Sequence, residues 1–131
     1  MTNTPKAHVL IVEDYPSLQF LYRTALEQEG YKVTVAQDGD EALEKAREHE
    51  PDLILLDLLM PLQGGLEFLR EYNIKEHSSV RVVVFSNMAS PELYEEAKEL
   101  GAIQYLSKAN YTPKEVVGAV GAALQIKNKT A

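Results

Sequence analysis

A chain of 131 residues with a net charge of −7 is long enough for one compact domain and lacks the basic surface that nucleic acid or an anionic membrane requires. It has no cysteine, which excludes disulfides and thiolate metal sites and makes the cytoplasm the expected compartment. No apolar run approaches membrane-spanning length, and the start, MTNTPKAHVLIVEDY, lacks the apolar core and cleavage site of a signal peptide.

The first apolar run, AHVLIV (7–12), reads as a strand ending at Glu13-Asp14. Pro16 fits the first turn of the helix that follows, marked by Leu18, Leu21, Tyr22, Ala25 and Leu26, and Gly30 stands where that helix should end. KVTVA (32–36) is a second strand, followed by a helix with Ala42, Leu43 and Ala46 on one face. DLILLD (52–57) is a third. Its last residue does not fit: Asp57 is a carboxylate inside an apolar run that continues to Pro61, and burying such a charge without a partner is costly. Leu66, Phe68 and Leu69 mark the next helix, and VRVVVFS (80–86) is a fourth strand ending in Ser86-Asn87. Pro91 opens a helix carrying Leu93, Ala97 and Leu100, and Gly101 closes it. IQYLS (103–107) is the last strand and ends in Ser107-Lys108. TPKE (112–115) reads as a capping box with a proline inside it, opening a helix with Val116, Val117, Val120 and Leu124 toward the core and ending near Ile126.

Three of the strand runs show little polar alternation, as parallel strands covered on both faces do. Five βα units with right-handed crossovers make an α/β fold, (βα)5, a doubly wound five-stranded parallel sheet with helices on both faces. We expect one domain over residues 1–126 and a short polar tail over 127–131, with no repeat, linker or output domain. In such sheets, sites form at the carboxyl ends of the strands. Those ends carry Glu13, Asp14, Asp57, Ser86 and Lys108. Three gathered carboxylates repel one another unless a cation shares the site, and oxygen-only ligands suit Mg²⁺. An Asp carboxylate can also act as a nucleophile and form an aspartyl-phosphate, whose oxygens Lys108 and Ser86 would neutralise and hydrogen-bond.

The motifs VEDY after strand 1, LLDLLMPLQGG around strand 3, FSN after strand 4 and YLSK in strand 5 resemble, in this order, the receiver domain of two-component response regulators, and the resemblance covers nearly the whole chain. It implies the flavodoxin-like strand order 2-1-3-4-5 and a stand-alone, single-domain phosphorelay protein. Asp57 is then the phosphoacceptor. Glu13, Asp14, Asp57 and the backbone carbonyl of Leu59 bind Mg²⁺ or Mn²⁺. Ser86 is the hydroxyl that moves toward the phosphoryl group, Tyr105 the aromatic switch, and Lys108 the phosphate-contacting lysine. The implied partners are a sensor histidine kinase or phosphotransfer protein and a downstream protein meeting the helix 4–strand 5–helix 5 surface. Such a protein is no enzyme in its own right, but assists its own phosphorylation and dephosphorylation. The chain departs from the family at Ala109, where proline usually follows the lysine in a cis bond. A cis bond before alanine costs about 3–4 kcal/mol, so we expect either a trans bond with a reshaped loop or a strained cis bond held by the site.

Plainer readings compete. Glu13 and Asp14 could simply favour a helix N-terminus, Ser86 could be a turn residue, Lys108 a solvated lysine and Tyr105 an ordinary strand residue. His8, His49 and His77 show no ligand spacing, and PELYEEAKEL reads as a solvated helix face. A flavin carrier needs a Gly-rich phosphate loop where EDYPSL stands. A haloacid-dehalogenase-type phosphatase usually has a second Asp where Leu59 is, and a P-loop is absent. The main rival is a receiver-like docking module that never carries phosphate. Two further expectations follow. Leu59 and Met88, two residues after Asp57 and Ser86, are apolar and cannot orient an attacking water, so the phosphoryl group should be long-lived. Gly118, Gly121, Ala122, Gln125 and Ile126 form an acid-free outer face on the last helix, either for self-association as a homodimer or because glycines ease packing within the fold.

Overall fold

The computed structural model describes residues 7–60, 64–87 and 90–125. Five strands, β1 (His8–Val12), β2 (Lys32–Ala36), β3 (Leu53–Leu56), β4 (Arg81–Ser86) and β5 (Ala102–Ser107), alternate with five helices, α1 (Pro16–Gln28), α2 (Gly39–Glu48), α3 (Gly65–Tyr72), α4 (Pro91–Glu99) and α5 (Pro113–Leu124). All strand pairs are parallel, in the order β2-β1-β3-β4-β5. Alternate strand residues face opposite sides, and both sides are apolar. Leu10, Val12, Ile54 and Leu56 pack under α2, α3 and α4, while Val9, Ile11, Leu53 and Leu55 pack under α1 and α5.

The order reverses between β1 and β3, so their carboxyl ends lie side by side. Val12 is in register with Leu56, and the Asp57 N–H continues the ladder by donating to the Val12 carbonyl at 3.1 Å. That register brings Glu13-Asp14 and Asp57 together from 43 residues apart in sequence (57 − 14).

Local chemistry explains the helix ends. Pro16, Pro91 and Pro113 each occupy a first turn, where a missing N–H costs nothing. Thr112 and Glu115 form the expected capping box. Gly30 and Gly101 adopt φ of 97° and 113°, a conformation that other residues resist.

Several boundaries differ from the sequence reading. Asp52, Asp57 and Val80 fall just outside their strands, Ala102 falls inside β5, and Lys108 opens a 3₁₀ turn with Ala109 and Asn110. Leu21 is 43 % exposed, because α1 meets the sheet through the narrower stripe of Tyr22 and Leu26. Tyr72 and Ala123 are buried core residues that the periodic pattern did not single out. The expected helix end at Ile126, the tail and Met88 lie outside the described residues. On α5, Gly118 and Ala122 are exposed as expected, but a Cβ at Gly118 would meet nothing within 4 Å, so packing within the domain does not explain that glycine. A Cβ at Gly121 would lie 3.4 Å from the Tyr31 hydroxyl.

Tyr72 supports a first prediction. Its ring stacks on Phe68 and on His77, with centroids 5.5 and 4.1 Å away. Its hydroxyl is buried without a hydrogen-bond partner among the described residues. Burial, aided by nearby Glu50, pushes its pKa up to about 12. The folded state therefore holds that proton more firmly than the unfolded chain does, and stability falls as pH rises from the ordinary value toward 12. Tyr72→Phe should stay within about 1 kcal/mol of wild type at pH 7, since no hydrogen bond is lost. It should resist alkaline unfolding better, as urea midpoints at neutral and alkaline pH would read.

Candidate functional site

The site is built on the carboxyl ends of β1, β3 and β4 and on the turn after β5. Asp57 is buried with 5 % of its surface exposed, and each carboxylate oxygen is occupied. Oδ1 accepts the Leu59 N–H at 2.9 Å and the Ser86 hydroxyl at 2.7 Å, and Oδ2 accepts the Lys108 ammonium at 2.9 Å. Lys108 also donates to Glu13 Oε1, so one ammonium bridges two buried carboxylates. The Phe85 ring lies below it, 6.0 Å from Nζ to the centroid.

Burial alone would lower the Lys108 pKa, but its hydrogen bonds to Glu13 and Asp57 outweigh that and hold it above its ordinary value. Burial raises the Glu13 pKa against the opposing contacts from Lys108 and the Tyr15 N–H. The cationic Lys108 is thus the secure charge of the pair.

Gly65 lets α3 begin directly against the phosphoacceptor candidate. A Cβ there would stand 2.6 Å from the Asp57 carbonyl and 2.9 Å from the Leu58 Cα, so any side chain would displace the backbone that carries Asp57. The second glycine of the GG in the sequence motif thus has a steric reason that spacing did not reveal, whereas a Cβ at Gly64 would meet nothing closer than 3.6 Å.

Glu13, Asp14 and Asp57 offer one oxygen each within 4.8 Å of one another. Among the described residues the Asp14 carboxylate makes no hydrogen bond or ion pair. A hard oxygen donor set with one uncommitted carboxylate fits Mg²⁺ or Mn²⁺. Tyr105 stands one layer behind. Its hydroxyl donates to the Ser86 carbonyl at 3.1 Å, and its ring lies against Tyr94, with centroids 3.6 Å apart. Both tyrosines line a cavity of about 170 Å³ between α4 and β5, together with Val84, Ala97 and Ile103.

The structure therefore gathers Glu13, Asp14, Asp57, Leu59, Ser86 and Lys108, and places Tyr105 against the backbone of Ser86. The described residues contain no cis peptide bond, so the Lys108–Ala109 link is trans and leads into the 3₁₀ turn. The histidines stay outside the site: His77 pairs with Glu50 and His8 with Thr34. Sequence reasoning missed Gln19, whose side-chain amide donates to the Glu13 carbonyl at 2.5 Å. Nothing in the spacing marks it, because a glutamine early in a helix is ordinary. Among the described residues, no helix is long and apolar enough to cross a membrane.

Comparisons with known proteins agree with this geometry. A family model described as response regulator receiver domain matches residues 9–120. The transcriptional regulatory protein ResD of Bacillus subtilis is 34% identical over 130 residues, 99% of this chain and 53% of ResD. The chain thus spans about half the length of this and several other curated relatives. Sporulation initiation phosphotransferase F of Bacillus subtilis is 30% identical over 120 residues, covering 92% of this chain and 95% of that protein. Among solved structures, the chemotaxis protein CheY4 of Vibrio cholerae superposes with a TM-score of 0.81 at 30% identity, covering 89% of this chain and 98% of that one. A CheY-like receiver domain protein from Methanospirillum hungatei gives 0.83 at 26% identity, covering 89% and 92%.

Proposed function

The chain belongs to the response regulator receiver domain family, and from that premise we propose that Asp57 is its phosphoacceptor and that phosphorylation switches a partner-binding surface. The observation that carries this reading is a buried carboxylate ringed by an ammonium, a hydroxyl and two further acids. A carboxylate oxygen of Asp57 attacks the phosphorus of a phosphohistidine on a sensor kinase or phosphotransfer protein. The P–N bond breaks, the imidazole departs, and an acyl phosphate remains. Lys108 and Ser86 hold the transferred oxygens, replacing their present bonds to Asp57. Glu13, Asp14, Asp57 and the Leu59 carbonyl would hold Mg²⁺ or Mn²⁺. When bound, that ion supplies positive charge against the phosphoryl oxygens.

Ser86 links this chemistry to the surface. If its hydroxyl leaves Asp57 Oδ1 for a phosphoryl oxygen and draws the end of β4 with it, the Ser86 carbonyl that accepts the Tyr105 hydroxyl moves too. The α4–β5–α5 surface then shifts between two populated states, and a downstream partner reads the shift. On the outer face of α5, Gly118 stands in open space beside the exposed Glu115 and leaves room for a second copy of the chain.

The direct test is incubation with acetyl phosphate in Mg²⁺ and in EDTA, resolved on a phosphate-affinity gel. Labelling in Mg²⁺ alone is expected. A docking module that never carries phosphate would give none in either.

The lifetime of the product gives a further prediction. Leu59 is 46 % exposed beside Asp57 and offers no group to orient water. Leu59→Asn should speed phosphate loss several-fold, measured by decay of the shifted band after the donor is removed. An unchanged decay would place water control elsewhere.

A further inference from the structure

The acid pair stands on a turn that is clamped from three sides. The β1–β2 ladder ends where the Glu13 N–H donates to the Ala36 carbonyl at 2.9 Å. The Glu13 carboxylate turns back to accept the Tyr15 N–H at 3.1 Å. The Glu13 carbonyl accepts the side-chain amide of Gln19, which reaches across the turn from α1. Gln19 is held in turn by the helix, its own N–H donating to the Tyr15 carbonyl at 2.9 Å. Asp14 lies between these anchors, and among the described residues its carboxylate has no side-chain partner to fix it. Where that carboxylate stands is therefore set by the backbone of the turn.

We propose that Gln19 is a positioning residue for the cation-binding pair, fixing the β1–α1 turn so that Asp14 is held within reach of Glu13 and Asp57 before any cation arrives. The inference rests on the site reading above. The side-chain hydrogen bond of Gln19 goes to the backbone carbonyl of Glu13 and not to a ligand carboxylate, so the residue acts through the turn. Such pre-organisation matters because Mg²⁺ tolerates little deviation from its preferred ligand geometry.

The test compares wild type, Gln19→Met and Gln19→Glu at pH 8. Methionine keeps length and helix propensity but cannot donate. Glutamate cannot donate either, yet adds a negative charge near the cation. Two quantities are read: Mg²⁺ affinity by calorimetry, and hydrogen exchange of the hydrogen-bonded Glu13 and Tyr15 amides in metal-free protein. Loss of one neutral hydrogen bond should weaken Mg²⁺ binding by about three- to tenfold in Gln19→Met. Exchange at the two amides should speed up in both variants, with the urea midpoint little changed. Gln19→Glu should bind no tighter than wild type despite its charge. Wild-type affinity and wild-type amide protection in Gln19→Met would overturn the inference. Tighter binding in Gln19→Glu would overturn it too, since the residue would then act only through local charge. Absence of Mg²⁺ binding in wild type would overturn the site reading instead, and the metal-free exchange data keep that failure distinct from failure of the Gln19 clamp.

Discussion

Asp57→Asn should abolish labelling by acetyl phosphate and leave the fold intact. In the proposed mechanism the carboxylate is the nucleophile, and an amide of the same shape has no charge to offer phosphorus. Oδ1 already accepts both the Ser86 hydroxyl and the Leu59 N–H, so the amide oxygen of asparagine keeps that place. Its NH₂ then faces Lys108, which loses one acceptor but keeps Glu13. The variant should therefore show native circular dichroism and no shifted band on the gel at any donor concentration. Wild-type yield of stable phosphate in this variant would remove Asp57 from the mechanism.

Lys108→Met should give the second large effect, on both stability and labelling. The Lys108 side chain is 8% exposed and bridges carboxylates whose side chains are 3% and 6% exposed. Without it, two buried acids face each other with no cation between them. Removing one member of a buried ion pair typically costs about 3–5 kcal/mol, because the remaining charge stays desolvated. Urea unfolding in EDTA should show a loss of that order, and Mg²⁺ should recover part of it by supplying the missing charge. Labelling should slow by about 10²- to 10³-fold, the usual penalty for losing one donor to developing negative charge. A loss under about 1 kcal/mol in EDTA would mean that the bridge is a solvated contact after all.

Much of the fold was legible because the strands carry apolar residues on both faces and the helices carry clear stop and start residues. Gly30, Gly101 and the three helix-opening prolines act within a few residues, so their effects can be read directly. Asp57 stood out for the same reason: a buried charge in an apolar run needs a partner. Who the partners are depends on strand order, since Glu13 meets Asp57 only because β1 and β3 are neighbours. Leu21 was less legible, because periodicity marks a wide stripe and the sheet covers a narrower one. Gly65 and Gln19 were not legible as site residues at all. One matters through a steric contact with the Asp57 backbone, the other through a single carbonyl, and neither leaves a pattern in spacing.

The central claim is that one atom group, the Asp57 carboxylate, carries the phosphoryl group. Borohydride reduction tests it most directly, because it converts an acyl phosphate on aspartate to homoserine and leaves other phosphorylated side chains intact. Protein labelled with acetyl phosphate in Mg²⁺, reduced and then digested, should yield homoserine at position 57 and at no other aspartate. Homoserine at another position, or phosphate that survives reduction on a histidine, serine or tyrosine, would contradict the account.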